Sequence, residues 1–237
     1  MDIARAVVFI FVFIIINIPI FTQLYNIFLK RFNNLQIVVI SVLYWASAIF
    51  TENLIPFIVV VILVFNYHLK TEENNSLRNN NVWKFEWKYV FGISIFTLIF
   101  MVVLTLINSV YILILNYFLK YDIKPQSIVT DFYNSGSYVK VVYFLLIVIF
   151  APFVEEYVFR YYLYDKIFLS YMPAAYAATL SAAIFTIAHY NAGGVPSFFG
   201  LALFCNYIYE KKGYFAAVAA HLIFNLSTIV LLLFIEI

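Results

Sequence analysis

Residues 150–160 read FAPFVEEYVFR, two adjacent carboxylates and a guanidinium set inside an apolar run that extends from 139 to 164. The rest of the chain decides what that means. Hydrophobic residues make up 65% of the 237 and charged residues 11%, with a mean hydropathy of +0.97, whereas soluble domains are near half apolar and a quarter charged. The run is therefore a membrane-spanning helix, and the chain is expected to be an all-α polytopic membrane protein. A span needs about 20 apolar residues, range roughly 17 to 25. On that rule the segments are 6–29, 35–51, 54–69, 89–119, 139–164, 173–190, 196–211 and 213–235.

These segments predict about eight transmembrane helices in a single membrane domain, 1–237. The N-terminal run is followed by no small-x-small cleavage site, so it is read as a retained span. Segments 35–51 and 54–69 are short and separated only by TEN at 51–53, and they either cross or form a membrane hairpin. The polar stretch 70–88 is read as a loop whose Trp83, Phe85 and Trp87 alternate with charges at the headgroup level. A second loop with turn residues is expected at 120–138. If all eight segments cross, Lys30, Arg31, Lys70, Arg78, Lys84, Lys88, Lys166, Lys211 and Lys212 share one side and Arg5, Lys120, Lys124 and Lys140 the other. The richer side is assigned to the cytoplasm.

Several features carry no chemistry. The net charge of +2 and the lack of a basic run interleaved with aromatics set nucleic acid aside. Cys205 is the single cysteine; it cannot form an internal disulfide and is read as a small packing residue. His68 is expected at an interfacial helix end, and Glu210, Lys211 and Lys212 in a solvated turn.

The opening stretch is different. Glu155 lies nine residues before the end of its segment, roughly 14 Å deep in a layer of about 30 Å. A charged residue at that depth costs about 2.5–3.5 kcal/mol by insertion scales, so three would together cost on the order of 8–10 kcal/mol, as much as the whole stability of an ordinary domain. They must be paired, protonated or wet. Glu156 and Arg160 are four apart, the spacing at which helical side chains meet, and Pro152 can free a backbone carbonyl and kink the helix. A purely structural reading is an ion pair that fixes packing. The functional reading is the default for ionisable groups inside a membrane.

Later spans add weight to the second. His189 ends FTIAH, 185–189, and His221 opens HLIFN, 221–225, which puts Asn225 one turn from His221 on the same face. A carboxylate and an imidazole that share a water can deprotonate it, and a second imidazole with a carboxamide can stabilise a developing oxyanion. Alternatively Glu155, His189 and His221 would hold a zinc ion or another divalent metal, two His, one Glu and an open position being a hydrolytic set.

EEYVFR, FTIAH and HLIFN match, in order, the EExxxR, FxxxH and HxxxN motifs of the CAAX-protease and bacteriocin-processing (Abi) family of intramembrane proteases, which the chain resembles over about 150–235, within the segment 139–236. The resemblance implies an endopeptidase. It makes Glu155 the water-activating base together with His189, His221 and Asn225 the oxyanion stabilisers, and Glu156 and Arg160 supporting residues. The substrate it implies is a membrane-embedded or lipidated peptide or protein, and some relatives act in bacteriocin or pheromone maturation, self-immunity or signalling complexes. The alternative is a non-catalytic membrane partner of a sensor kinase or bacteriocin receptor.

The Ile, Phe, Tyr and Asn bias suggests an AT-rich bacterial genome, hence a bacterial plasma-membrane protein and a short peptide substrate rather than a CAAX protein. One depth is discordant. Counted from Pro173, His189 lies roughly 24 Å from the cytoplasmic side, unless PAAYAA, 173–178, projects below the membrane. In that case NAGGVPS, 191–197, lies at membrane depth on the wall of a cavity open to the cytoplasm.

Overall fold

The computed structural model describes residues 3–50, 54–68, 82–84, 86–120 and 127–234. Its order is α1 (Ile3–Ile27), α2 (Asn34–Phe50), α3 (Leu54–Ile62, continued by a wider turn over Leu63–His68), α4 (Val90–Leu119), α5 (Ser127–Asn134), α6 (Ser137–Ser170), α7 (Ala174–Ala188), α8 (Val195–Lys212) and α9 (Tyr214–Phe234). No strand occurs among the described residues. Each of the eight apolar segments is helical. Four helices are long and apolar enough to cross a membrane: Ile10–Arg31, Trp87–Phe118, Ser137–Ser170 and Tyr214–Leu231. Asn34–Phe50, Leu54–Asn66 and Ala174–Ala188 are apolar but shorter.

Apolar side chains cover the outside as well as the core. Helix α4 exposes Phe91, Ile99, Val102, Leu106, Leu113 and Phe118, the all-round hydrophobicity of a helix that meets lipid. This is an integral membrane protein. Inside a bilayer, burying apolar groups gains little over leaving them in lipid, so close packing and interhelical hydrogen bonds hold helices together. The core is consistent with that rule: α8 packs against both α7 and α9, and Ala177, Ala182, Ala202, Ala217 and Ala220 of these helices are all buried. Helix α6 lies at the centre, touching α1, α3, α7, α8 and α9.

Two loop expectations are corrected. Within 120–138 the residues Ser127–Asn134 form α5, and Phe132 is buried against Val148 of α6 and Ile229 of α9; the polar residues around it in the sequence read as a loop. Trp83 is enclosed by protein rather than exposed at the surface. It is 6% exposed, its ring 4.8 Å from Tyr161 and 5.0 Å from Tyr214. The alternation of Trp and charge does not reveal that Val82 and Trp83 fold back over the α8–α9 turn, where Val82 O accepts the Tyr214 N–H at 2.7 Å. Trp87, 79% exposed, fits the headgroup reading. The loop residues 69–81 and 85, the TEN turn and the side chain of His68 lie outside the described residues.

The turn 210–213 is likewise less solvated than its charges suggest. Glu210 accepts a hydrogen bond from the Tyr164 hydroxyl, and Lys212 Nζ sits 3.5 Å from the centre of the Tyr89 ring. Gly213 closes the turn at φ 86°, ψ −175°, a conformation open essentially to glycine alone. A Cβ there would lie 2.5 Å from Val82 O. Gly213→Ala should therefore destabilise the fold by about 1–3 kcal/mol, read as a lower unfolding midpoint in detergent. An unchanged midpoint would mean that the 82–83 turn yields freely.

Candidate active site

The site is built on α6, whose hydrogen bonding is unusual. Over Leu146–Phe150 and Glu156–Ile167 the bonds run i to i+5, the widened turn that often marks functional positions. The Ala151 N–H bonds Leu146 O. The next N–H in that register would come from residue 152, a proline, and Ile147 O is left without a partner from its own helix. Asn225 supplies one: its Nδ2 donates to Ile147 O at 2.9 Å. Two further neighbours donate to α6 carbonyls, the Tyr214 hydroxyl to Phe153 at 2.7 Å and the Ser181 hydroxyl to Phe159 at 2.8 Å. Side chains of neighbouring helices are one way to satisfy loosened backbone inside a membrane.

The motif carboxylates diverge in environment. Glu156 and Arg160 have fully buried side chains, with Arg160 Nε 3.1 Å from Glu156 Oε2. The guanidinium also donates from Nη2 to Ala202 O of α8 at 3.3 Å and lies 4.6 Å from the centre of the Phe185 ring. The other Glu156 oxygen, Oε1, lies 2.7 Å from His221 Nδ1. As a carboxylate paired to Arg160, Glu156 can only accept, so His221 carries its proton on Nδ1. His221 Nε2 then faces Glu155 Oε2 at 3.6 Å. Glu155 keeps 18% of its side chain exposed and His221 2%. Glu155 is thus the more open carboxylate.

His189 stands at the end of α7. Its Nδ1 donates to Phe185 O at 2.8 Å, since a carbonyl can only accept, and neutral His189 has its lone pair on Nε2. Glu155, His221 and Arg160 all lie close enough to act electrostatically on it. The Phe185 ring connects the parts, 4.3 Å from the His189 ring and 5.9 Å from that of His221.

Among the six sequence candidates, the structure thus brings Glu155, Glu156, Arg160 and His221 into direct contact. It sets His189 beside them across Phe185, and it ties Asn225 to the widened turn of α6. Sequence reading missed Tyr214 and Ser181 as α6 donors, and it treated Phe185 only as a motif letter. It also read Cys205 as plain packing. Its thiol belongs, with Glu156 and His221, to the one trio of His, Cys, Asp and Glu whose ligand atoms lie within 4.8 Å of one another among the described residues.

That trio does not suit a metal ion: a hydrogen bond already joins Glu156 to His221, and the Arg160 charge adjoins the same carboxylate. The set Glu155, His189 and His221 forms no such trio among the described residues. Glu155, partly open, is placed to accept a proton from a water that reaches it, with the His221 ring opposite at 3.6 Å.

Residues 137–227 match the family model described as Type II CAAX prenyl endopeptidase Rce1-like. The segment covers all three motifs and every sequence candidate, and it bears out the family resemblance drawn from them. No curated protein and no solved structure matches the chain.

Proposed function

Because residues 137–227 match the Rce1-like model of type II CAAX prenyl endopeptidases, we propose that this membrane protein hydrolyses a peptide bond in a membrane-associated or lipidated peptide, using the side chains gathered on α6, α7 and α9. The match of this segment to a protease family makes a hydrolase the first expectation. The observation that carries the mechanism is the division of labour between adjacent carboxylates: Glu156 is sealed against Arg160 and His221, while Glu155 is partly open and faces His221 Nε2.

In this reading Glu155 takes a proton from water as the water oxygen attacks the scissile carbonyl, with His189 Nε2 orienting the same water. Negative charge gathers on the carbonyl oxygen. Glu156 holds the His221 Nδ1 edge, and Nε2, when it carries a proton, donates to that oxygen. Asn225 donates a second hydrogen bond from its remaining amide hydrogen. As the tetrahedral intermediate collapses, the C–N bond breaks and the proton held by Glu155 passes to the leaving nitrogen. Glu156 acts on His221 as the carboxylate of a catalytic triad does, fixing tautomer and orientation. The substrate is a hydrophobic peptide that approaches from lipid, and the turn 191–197 forms part of a wall open toward the cytoplasm of a bacterial cell.

The test compares cells expressing the wild type and Glu155→Gln at matched levels, by quantitative mass spectrometry of peptide termini in membranes and medium. A terminus lost in the variant names substrate and cut site together. Identical termini, with any cellular phenotype intact, would favour the non-catalytic partner of a signalling or bacteriocin receptor.

Asn225 has two duties in this scheme, and they separate. Asn225→Ala orphans Ile147 O and should cost about 1–3 kcal/mol as well as activity. Pro152→Ala supplies an N–H five residues beyond Ile147, so the double variant should regain stability in a detergent melt while cleavage stays low. Recovery of both would reduce Asn225 to a tether.

A further inference from the structure

Between His189 and α8 lies a short turn, Ala192–Gly194, that the proposed chemistry leaves unused. Tyr190 adopts φ 43° as the chain leaves α7. The Asn191 side chain then accepts the Gly194 N–H at 3.1 Å, and α8 begins at Val195 with Pro196 in its first turn. One turn on, Phe198 returns toward His189. Its ring stacks on the imidazole, with centroids 4.3 Å apart and planes 26° apart.

That stacking depends on an absent atom. A Cβ on Gly194 would lie 2.4 Å from the Phe198 ring edge. The backbone at Gly194, φ −101°, ψ 4°, is open to other residues, so glycine is needed there for space alone.

We propose that Phe198 is a positioning residue for His189, and that Gly194 is glycine so that the Phe198 ring can lie against the imidazole. A histidine side chain has two rotatable bonds, and the hydrogen bond to Phe185 O acts on the Nδ1 edge of the ring. The Phe198 ring, stacked on the imidazole at 4.3 Å, and the Phe185 ring, tilted 42° against it at the same centroid distance, confine the plane of the imidazole. The lone pair on Nε2 is then held toward the water shared with Glu155. The inference rests on the proposed hydrolysis.

The test uses the full chain in detergent, with an internally quenched peptide spanning the bond identified from the Glu155-dependent terminus. Phe198→Leu, which keeps apolar bulk without a ring, should lower kcat about 10- to 100-fold, the scale of a misplaced catalytic group, with KM little changed. Phe198→Tyr should retain the wild-type rate. Gly194→Ala should lower kcat in the wild-type background by displacing the ring, yet add nothing to Phe198→Leu, a non-additive cycle between touching residues.

A second readout needs no substrate. Labelling by diethyl pyrocarbonate at His189, followed by mass spectrometry, should be several-fold faster in Phe198→Leu and Gly194→Ala than in the wild type, normalised to unmodified peptides of the same digest. Loss of cleavage in Glu155→Gln with kinetics and labelling unchanged in both ring variants would overturn the inference alone. Full cleavage by Glu155→Gln would remove the reading beneath it and the inference with it.

Discussion

Glu155→Gln should lower the rate of cleavage by about 10²- to 10⁴-fold, the usual contribution of a general base, while the protein keeps its unfolding midpoint. The two halves of that expectation come from one feature. Glutamine has the shape of glutamate and cannot take a proton, and the Glu155 side chain is partly open, with its nearest partner, His221 Nε2, at 3.6 Å. Little packing or pairing is lost. Its neighbour should not substitute, because both Glu156 oxygens are engaged, one 2.7 Å from His221 and the other 3.1 Å from Arg160. Glu156→Gln should therefore behave differently, lowering stability and rate together as His221 loses its acceptor and Arg160 its counter-charge. The rate is read from the identified peptide and the midpoint from thermal unfolding in the same detergent. If Glu155→Gln cleaves at the wild-type rate, the water-activating role assigned to it is wrong.

Much of this arrangement is legible in the sequence for physical reasons. Charges are so costly in apolar segments that EEYVFR, His189 and His221 stand out without any structure, and the i, i+4 spacing predicts the Glu156–Arg160 pair directly. The eight apolar segments also emerge as helices, since backbone groups in lipid must be satisfied internally. Contacts between distant parts are less visible. Nothing local to Trp83 says that its loop folds back over the α8–α9 turn, and nothing local to Phe132 says that its ring is buried against α6 and α9. The link from Asn225 to Ile147 was half legible: Pro152 marks a freed carbonyl, but the residue that meets it is 78 positions from Ile147. Phe198 is silent in the sequence, one of 27 phenylalanines, and only the space reserved at Gly194 distinguishes it.

The largest loss of stability should come from Arg160→Ala. Arg160 is the largest fully buried side chain in the described structure, and its guanidinium meets Glu156, Ala202 O and the Phe185 ring on three different sides of the site. Breaking a buried pair by removing one partner typically costs about 3–5 kcal/mol, because the remaining charge is stranded. Against an ordinary domain stability of about 5–15 kcal/mol, that is a large share. His221 can offer part of the missing positive charge to Glu156, which favours the lower end of the range and would draw the imidazole away from Glu155. Arg160→Lys should fall between, since a compact ammonium on a shorter stem cannot reproduce the planar fork or its stacking. The combination Glu156→Gln with Arg160→Met tests the cause: with both charges gone, a large part of the stability should return, while cleavage stays low because His221 has lost its carboxylate. Thermal unfolding of the three variants in detergent reads the order. If Arg160→Ala melts with the wild type, the pair contributes nothing to the fold; if the double variant is as unstable as Arg160→Ala, lost packing rather than stranded charge explains the effect.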